Sequence, residues 1–381
     1  MAWHQDTKAI HAGEPKPPLL GSVVMPMFQS STYVYDGEQE YNDVRYIRLN
    51  NTPNQLALAT KIAALEGAEA GTVTASGMAA IASALMVAVD EGEHLLLQEQ
   101  LYGGTFHFVV KHLAKMGRSY SFISLDDPAS WASQLRPTSR AIYVESLSNP
   151  MLRAPDLGAV TRFAREHSLV SMIDNTFPSP INLNPIAHGF DLVLHSATKY
   201  LNGHTDLTAG AVVGSKDLVR RIIALQNHLG GTLDPHACYL LQRGLKTLGV
   251  RVRQQNASAL KVAQFLEQHR RVRQVIYPGL SSHPQHTMLR EVLRGFGGML
   301  SFEFDGPVDV LDKKLQSMSL AYCAPSLGGT ETLVTRPRTT SHSGIPASEA
   351  LKMGITDTLV RVSIGLEDSD DLIQDFKEAL D

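Results

Sequence analysis

The sequence predicts an α/β fold: a mostly parallel central sheet with helices on both faces, and a smaller C-terminal α/β domain. Three observations carry this reading. Short apolar runs of strand length recur between Gly71 and Gly214, and amphipathic segments fall between several of them. The turn Ala75-Ser76-Gly77 joins one such run directly to an apolar helical stretch. Past residue 250 the alternation gives way to one long helical stretch, shorter strands and a terminal helix.

The elements follow in order. Residues 1–52, rich in Pro, Tyr and Asn, read as an irregular N-terminal arm. Thr52-Pro53 has the form of an N-cap with proline at the first helical position. Leu56, Ala59, Ile62, Ala63 and Leu65 then recur at helical spacing, and Gly67 stops the helix. Strands are expected at 71–74, 94–97, 121–124, 141–145, 170–174, 191–195 and 209–214, with an amphipathic helix over 156–167. Residues 53–249 would form the large domain and 250–381 the C-terminal one. The latter opens on a helix read over 244–269, carries strands at 299–304 and 359–364, and ends in a helix capped by Ser369. In open α/β sheets, ligands bind beyond the carboxyl ends of the strands.

Bulk properties exclude several functions. With 381 residues, 43% apolar and 19% charged, the chain has a globular composition, and a net charge of −4 speaks against nucleic acid or an anionic membrane as partner. The uncharged stretch 71–89 is long enough to test as a membrane span, but its small residues and the 75–77 turn favour a buried strand, turn and helix. The first fifteen residues mix charges and lack an apolar stretch, so no signal peptide is expected. Cys238 and Cys323 are too few for a disulfide framework, and no His/Cys set has metal spacing. A cytoplasmic protein without a metal is the expectation.

The run 191–204 places one lysine, Lys199, just past a strand and beside Ser196 and Thr198. An amine there suits an aldehyde cofactor, with hydroxyls for its phosphate, and the candidate is pyridoxal 5′-phosphate (PLP). A solvated strand-end lysine is the plain alternative. Ser76-Gly77-Met78 opens a helix, whose amides and dipole suit an anion; a simple tight turn would look the same. Asp174 ends an apolar run, as a helix cap or as a buried acid facing a pyridine nitrogen. Tyr102, in Leu101-Tyr102-Gly103-Gly104-Thr105, offers a ring face, or is core or surface. Arg361 sits in the apolar run 359–365, either holding a substrate carboxylate or pointing to solvent from an edge strand.

Taken together these motifs resemble the Cys/Met-metabolism PLP enzymes, the cystathionine γ-synthase/γ-lyase family. The likeness spans nearly the whole chain and rests on six segments. They are Ser196-Ala197-Thr198-Lys199-Tyr200-Leu201-Asn202-Gly203-His204, Asp174-Asn175-Thr176-Phe177, Glu145-Ser146-Leu147-Ser148-Asn149-Pro150, Leu101–Thr105, Ser326-Leu327-Gly328-Gly329 and Arg361-Val362-Ser363-Ile364-Gly365-Leu366-Glu367. The resemblance implies a PLP-dependent transferase fold of the aspartate-aminotransferase type, fold type I. It implies Lys199 as cofactor-binding amine and proton shuttle, Asp174 at the pyridine nitrogen and Tyr102 over the ring. Gly77, Met78, Ser196 and Thr198 would hold the phosphate; Asn149, Ser326 and Arg361 would hold the substrate carboxylate. Tyr46 and Arg48 would reach the phosphate of a neighbouring subunit, implying dimers that share active sites and pair into a homotetramer.

The implied activity is a carbon–sulfur lyase cleaving cystathionine or a related thioether amino acid by γ- or β-elimination. A γ-synthase joining cysteine to an activated homoserine, a methionine γ-lyase and a non-catalytic descendant are the alternatives. The chain leaves the family pattern in several places. Asn51-Thr52-Pro53-Asn54 stands for Asn-Pro-Thr, Arg45 for a frequent acid, and Phe106-His107 where an Arg is common. Gly104 replaces the Cys of methionine γ-lyases, Ala324-Pro325 replaces Ala-Glu, and Arg336-Pro337-Arg338 opens a divergent segment. One of Arg45, Arg336 and Arg338 is expected to take a distal carboxylate, with solvated surface arginines as the alternative.

Overall fold

A computed structural model describes residues 3–35, 37, 40–344 and 346–381. Its larger sheet contains β1 (Ala70–Thr74), β2 (His94–Gln98), β3 (Ser119–Ile123), β4 (Ser139–Glu145), β5 (Val170–Asp174), β6 (Leu192–His195) and β7 (Gly210–Gly214). The strand order is β1-β7-β6-β5-β4-β2-β3. Only β7 runs antiparallel to its neighbours; every other pairing is parallel. Every residue of β2, β6 and β7 is buried, as expected where helices cover both faces. One face packs on the helix Gly77–Ala88 through Ala80, Ala84 and Leu85. The other packs on Pro53–Glu66, Leu157–Glu166 and Pro235–Leu245 through Leu58, Ile62, Val160 and Leu241.

A second sheet has the order β10-β11-β12-β9-β8. Its strands are β8 (Val272–Ile276), β9 (Met299–Phe304), β10 (Tyr322–Cys323), β11 (Leu333–Thr335) and β12 (Leu359–Ser363). The helix Leu248–Glu267 serves both cores: Leu248 and Val252 pack with the large sheet, Ala259, Val262 and Leu266 with the small one.

Local chemistry explains the ends. The Thr52 N–H and hydroxyl both donate to Gln55 Oε1, and Gly67 closes that helix at φ +76°. Three sequence expectations are corrected. The arm is not wholly irregular: Gln5–His11 is helical, tied down by Lys61 Nζ, which donates to Ala9 O and Ile10 O. The stretch 244–269 is not one helix. The chain turns at Lys246-Thr247, where the Gly244 carbonyl accepts from Thr247 N–H and from the buried Arg251 guanidinium. The last helix is capped by Asp368, which accepts the Asp370 N–H, while Ser369 is its first residue and accepts from Lys261 Nζ.

Candidate active site

The carboxyl ends of the parallel strands open into a cavity of about 720 Å³. Its lining brings together Gly77, Met78, Tyr102, Asn149, Asp174, Ser196, Thr198, Lys199, Ser326 and Arg361, gathered from both sheets and the loops between them. Tyr46 and Arg48 lie outside that lining. They belong to a short turn where Arg48 donates to Asn227 O and to Tyr41 Oη.

One corner is a helix N-terminus. Ser76 Oγ accepts the Ala79 N–H at 3.1 Å and the Ser76 carbonyl takes the Ala80 N–H. The amides of Gly77 and Met78 find no acceptor among the described residues, so they and the dipole favour an anion. Gly77 is required by packing: a Cβ there would stand 2.8 Å from Ser196 Cβ and 2.9 Å from its Oγ. Ser196 N–H donates to Thr176 Oγ1 at 2.8 Å, which fixes the adjacent turn. Thr198 faces the cavity, but its hydroxyl donates to Ala209 O and accepts Ala209 N–H, so its proton is already committed.

Opposite lies an acidic floor. Asp174 ends β5, and its Oδ1 accepts the Thr176 N–H at 2.9 Å. Burial, outweighing that bond, raises its pKa above the usual carboxylate range. A cation in the cavity would reverse this penalty. Glu145 stands beside Asp174 in the strand register, and burial, with Asp174 next, pushes its pKa well up. Its Oε1 accepts the Tyr102 N–H at 2.6 Å, holding the backbone that presents the Tyr102 ring. The space around that ring is tight: a Cβ on Gly104 would meet Tyr102 Cε1 at 2.5 Å and Met78 Sδ at 2.8 Å.

The third side pairs an amine with a fork. Lys199 Nζ donates to Ser326 Oγ at 2.6 Å, and burial, with the Arg361 charge second, lowers its pKa to about 8. Arg361 is not on an edge strand: β12 is hydrogen-bonded to β11 on one side and β9 on the other. Its guanidinium is buried and donates to Asn149 Oδ1 at 3.2 Å and Ser326 O at 2.9 Å. Arg361 Nε has no partner among the described residues, which leaves a donor for a carboxylate. Arg336 is already engaged by both oxygens of Asp312, and Arg338 by Asp357 and the His342 carbonyl. Arg45 is exposed, 5.7 Å from the Tyr33 ring centroid.

Sequence reasoning gave no role to Glu145 or Thr176. Both were findable: Glu145 is a strand-end acid like Asp174, and Thr176 stands two residues past an Asp, the spacing of a local Asx turn. The residues present fit PLP. An amine with an accessible neutral form, open amides at a helix end and a buried carboxyl in need of a cation are the complements of its aldehyde, phosphate and pyridine nitrogen.

A sequence model described as Cys/Met metabolism PLP-dependent enzyme matches residues 6–381. A cystathionine beta-lyase of Lactococcus lactis subsp. cremoris (strain MG1363) is 40% identical over 376 residues, 98% of either chain. The chloroplastic cystathionine gamma-synthase 1 of Nicotiana tabacum is 41% identical over 98% of this chain and 71% of its own. Among solved structures, a cystathionine gamma-lyase from Lactobacillus plantarum, complexed with L-serine, superposes with a TM-score of 0.93 and 35% identity, covering 99% of this chain and 98% of the other. The chain belongs to the Cys/Met-metabolism family of PLP-dependent enzymes.

Proposed function

We propose that this enzyme is a carbon–sulfur lyase that cleaves cystathionine, or a closely related thioether amino acid, to a thiol amino acid, a 2-oxo acid and ammonia. The observation that carries the reading is the shared anchoring of amine and fork. Lys199 Nζ and Arg361 Nη2 both bond to Ser326, through its Oγ and its carbonyl respectively. An amino acid whose carboxylate is held by Arg361 and Asn149 would therefore present its α-carbon near Lys199. Bound PLP supplies an electron sink that acidifies the carbon attached to the substrate nitrogen. Lys199 Nζ would take that proton and, for γ-elimination, would hand it on to the carbon of the cofactor's former aldehyde and so, as a free amine again, take the next one from the β-carbon. Asp174 would hold the pyridine end and favour its charged form, and Tyr102 would offer its ring face to the cofactor.

The relatives named as β-lyase, γ-lyase and γ-synthase lie at similar identity, so identity does not choose among these outcomes. Incubation with cystathionine alone does. Cysteine with 2-oxobutanoate marks γ-elimination, homocysteine with pyruvate marks β-elimination, and no turnover without an activated homoserine marks the synthase.

The quaternary arrangement belongs to the same reading: a homotetramer of dimers, with Tyr46 and Arg48 completing the neighbour's phosphate corner. Two features support it. Both residues lie off their own cavity lining, and Leu20, Val23, Val34 and Tyr35 of the arm expose apolar side chains that a second copy would cover. No helix of the described residues is long and apolar enough to cross a membrane. A cytoplasmic location is proposed from the unpaired Cys238 and Cys323, and cell fractionation tests it.

A further inference from the structure

Behind the cofactor floor lies a polar cluster that the mechanism does not use. Glu66, the last residue of the helix Pro53–Glu66, is fully buried. Its Oε1 accepts from His195 Nε2 at 2.7 Å and from Asn175 Nδ2 at 2.9 Å, and its Oε2 accepts from Asn184 Nδ2 at 3.1 Å. A carboxylate buried at a helix C-terminus opposes the helix dipole and its own desolvation, so its place there calls for compensating contacts. The cluster is also incompletely satisfied: His195 Nδ1 and Asn175 Oδ1 are buried without partners among the described residues. Packing alone would be better served by an apolar side chain.

The positions of its donors are informative. Asn175 directly follows Asp174 at the end of β5, and His195 directly precedes Ser196 at the end of β6. Past the last paired residues, Asp174 and Leu194, the two strand ends are joined by Asn175 N–H to Leu194 O at 2.9 Å and by Ser196 N–H to Thr176 Oγ1 at 2.8 Å. One carboxylate oxygen thus ties the residue next to Asp174 to the residue next to Ser196.

We propose that Glu66 is a positioning residue for the cofactor, setting the separation between the Asp174 end and the Ser196 end of the site through Asn175 and His195. The proposal rests on the PLP reading of the cavity. A ligand that engages both ends gains from a fixed separation, whereas a ligand that engages one end does not.

The test compares PLP with pyridoxal, which lacks the phosphate, binding to apoenzyme. In the wild type PLP binds more tightly than pyridoxal; binding of neither would overturn the cofactor reading itself, separately from Glu66. Glu66→Leu removes both carboxylate oxygens at similar size, so neither His195 Nε2 nor Asn175 Nδ2 keeps its shared acceptor and the tie is broken. The expected result is that the ratio of the pyridoxal to the PLP dissociation constant falls at least fivefold, while pyridoxal binding changes little. Asn175→Ser, which removes the β5 side of the tie alone, is expected to move the ratio the same way by less, and carries the test if Glu66→Leu fails to fold. A loss shared equally by both ligands, a greater loss for pyridoxal, or no change in either would overturn the proposal.

Discussion

Lys199 occupies a half-buried position beside a hydroxyl and a guanidinium, and both burial and the neighbouring charge disfavour its ammonium form. The direction matters for chemistry. An ordinary lysine, near 10.5, is almost wholly protonated at neutral pH, whereas one at about 8 has an accessible free base. Cofactor capture by the apoenzyme requires the neutral amine. Its rate is therefore expected to climb nearly tenfold per pH unit below about 8 and to level off above it. Absorbance at the visible band of the bound cofactor follows this after mixing at pH 6 to 10. A midpoint near that of a solvated lysine would show that the environment of Lys199 does not lower its pKa. Arg361, its pKa lowered to about 10 by burial, still stays charged at neutral pH and loses its charge only at the top of that range.

The site is made where elements end. The helix Gly77–Ala88 comes close enough to Ser196 that only a glycine fits at its first position, and Gly210 on β7 similarly lies where a Cβ would stand 2.3 Å from Ser76 O. Substituting Gly77→Ala is expected to push the helix end from Ser196. It should weaken PLP binding by roughly tenfold, about 1.4 kcal/mol, within the usual range for overpacking. Equilibrium titration of the apoenzyme measures it, and unaltered affinity would mean that the corner tolerates the shift. Much of this level was legible in the chain. The Thr52-Pro53 cap, the stop at Gly67 and the strands of the large sheet follow from local chemistry and from apolar runs that both sheet faces bury. Strands β10 and β11, two and three residues long, carry too little pattern to be read, and β12 shows Arg361 as central only once β9 and β11 flank it. Glu66 was hidden for a similar reason: in sequence it is one acid at a helix end, and its partners are more than a hundred residues away.

At the scale of the molecule, the cavity is assembled from parts that are distant in sequence, with Lys199 and Asp174 from the large sheet's end and Arg361 from the second sheet. Tyr46 and Arg48 would add a contribution from another copy. If sites are shared in this way, mixing dissociated and reassociated Lys199→Ala and Arg48→Ala protomers restores a site that carries both native residues. Activity is then expected to recover to about a quarter of the wild-type level, by random pairing, where either variant alone is poor. No recovery would place Arg48 outside any neighbour's site. All of this depends on one catalytic claim, that Lys199 drives cleavage of a thioether amino acid. Mass-spectrometric analysis of products from cystathionine alone, for the wild type and for Lys199→Ala, tests it most directly. The wild type is expected to release a thiol amino acid and a 2-oxo acid in equal amounts, and the variant to lose on the order of 10²–10⁴-fold or more of that rate. Intact cystathionine after prolonged incubation with PLP-loaded wild type, or undiminished turnover by Lys199→Ala, would contradict it.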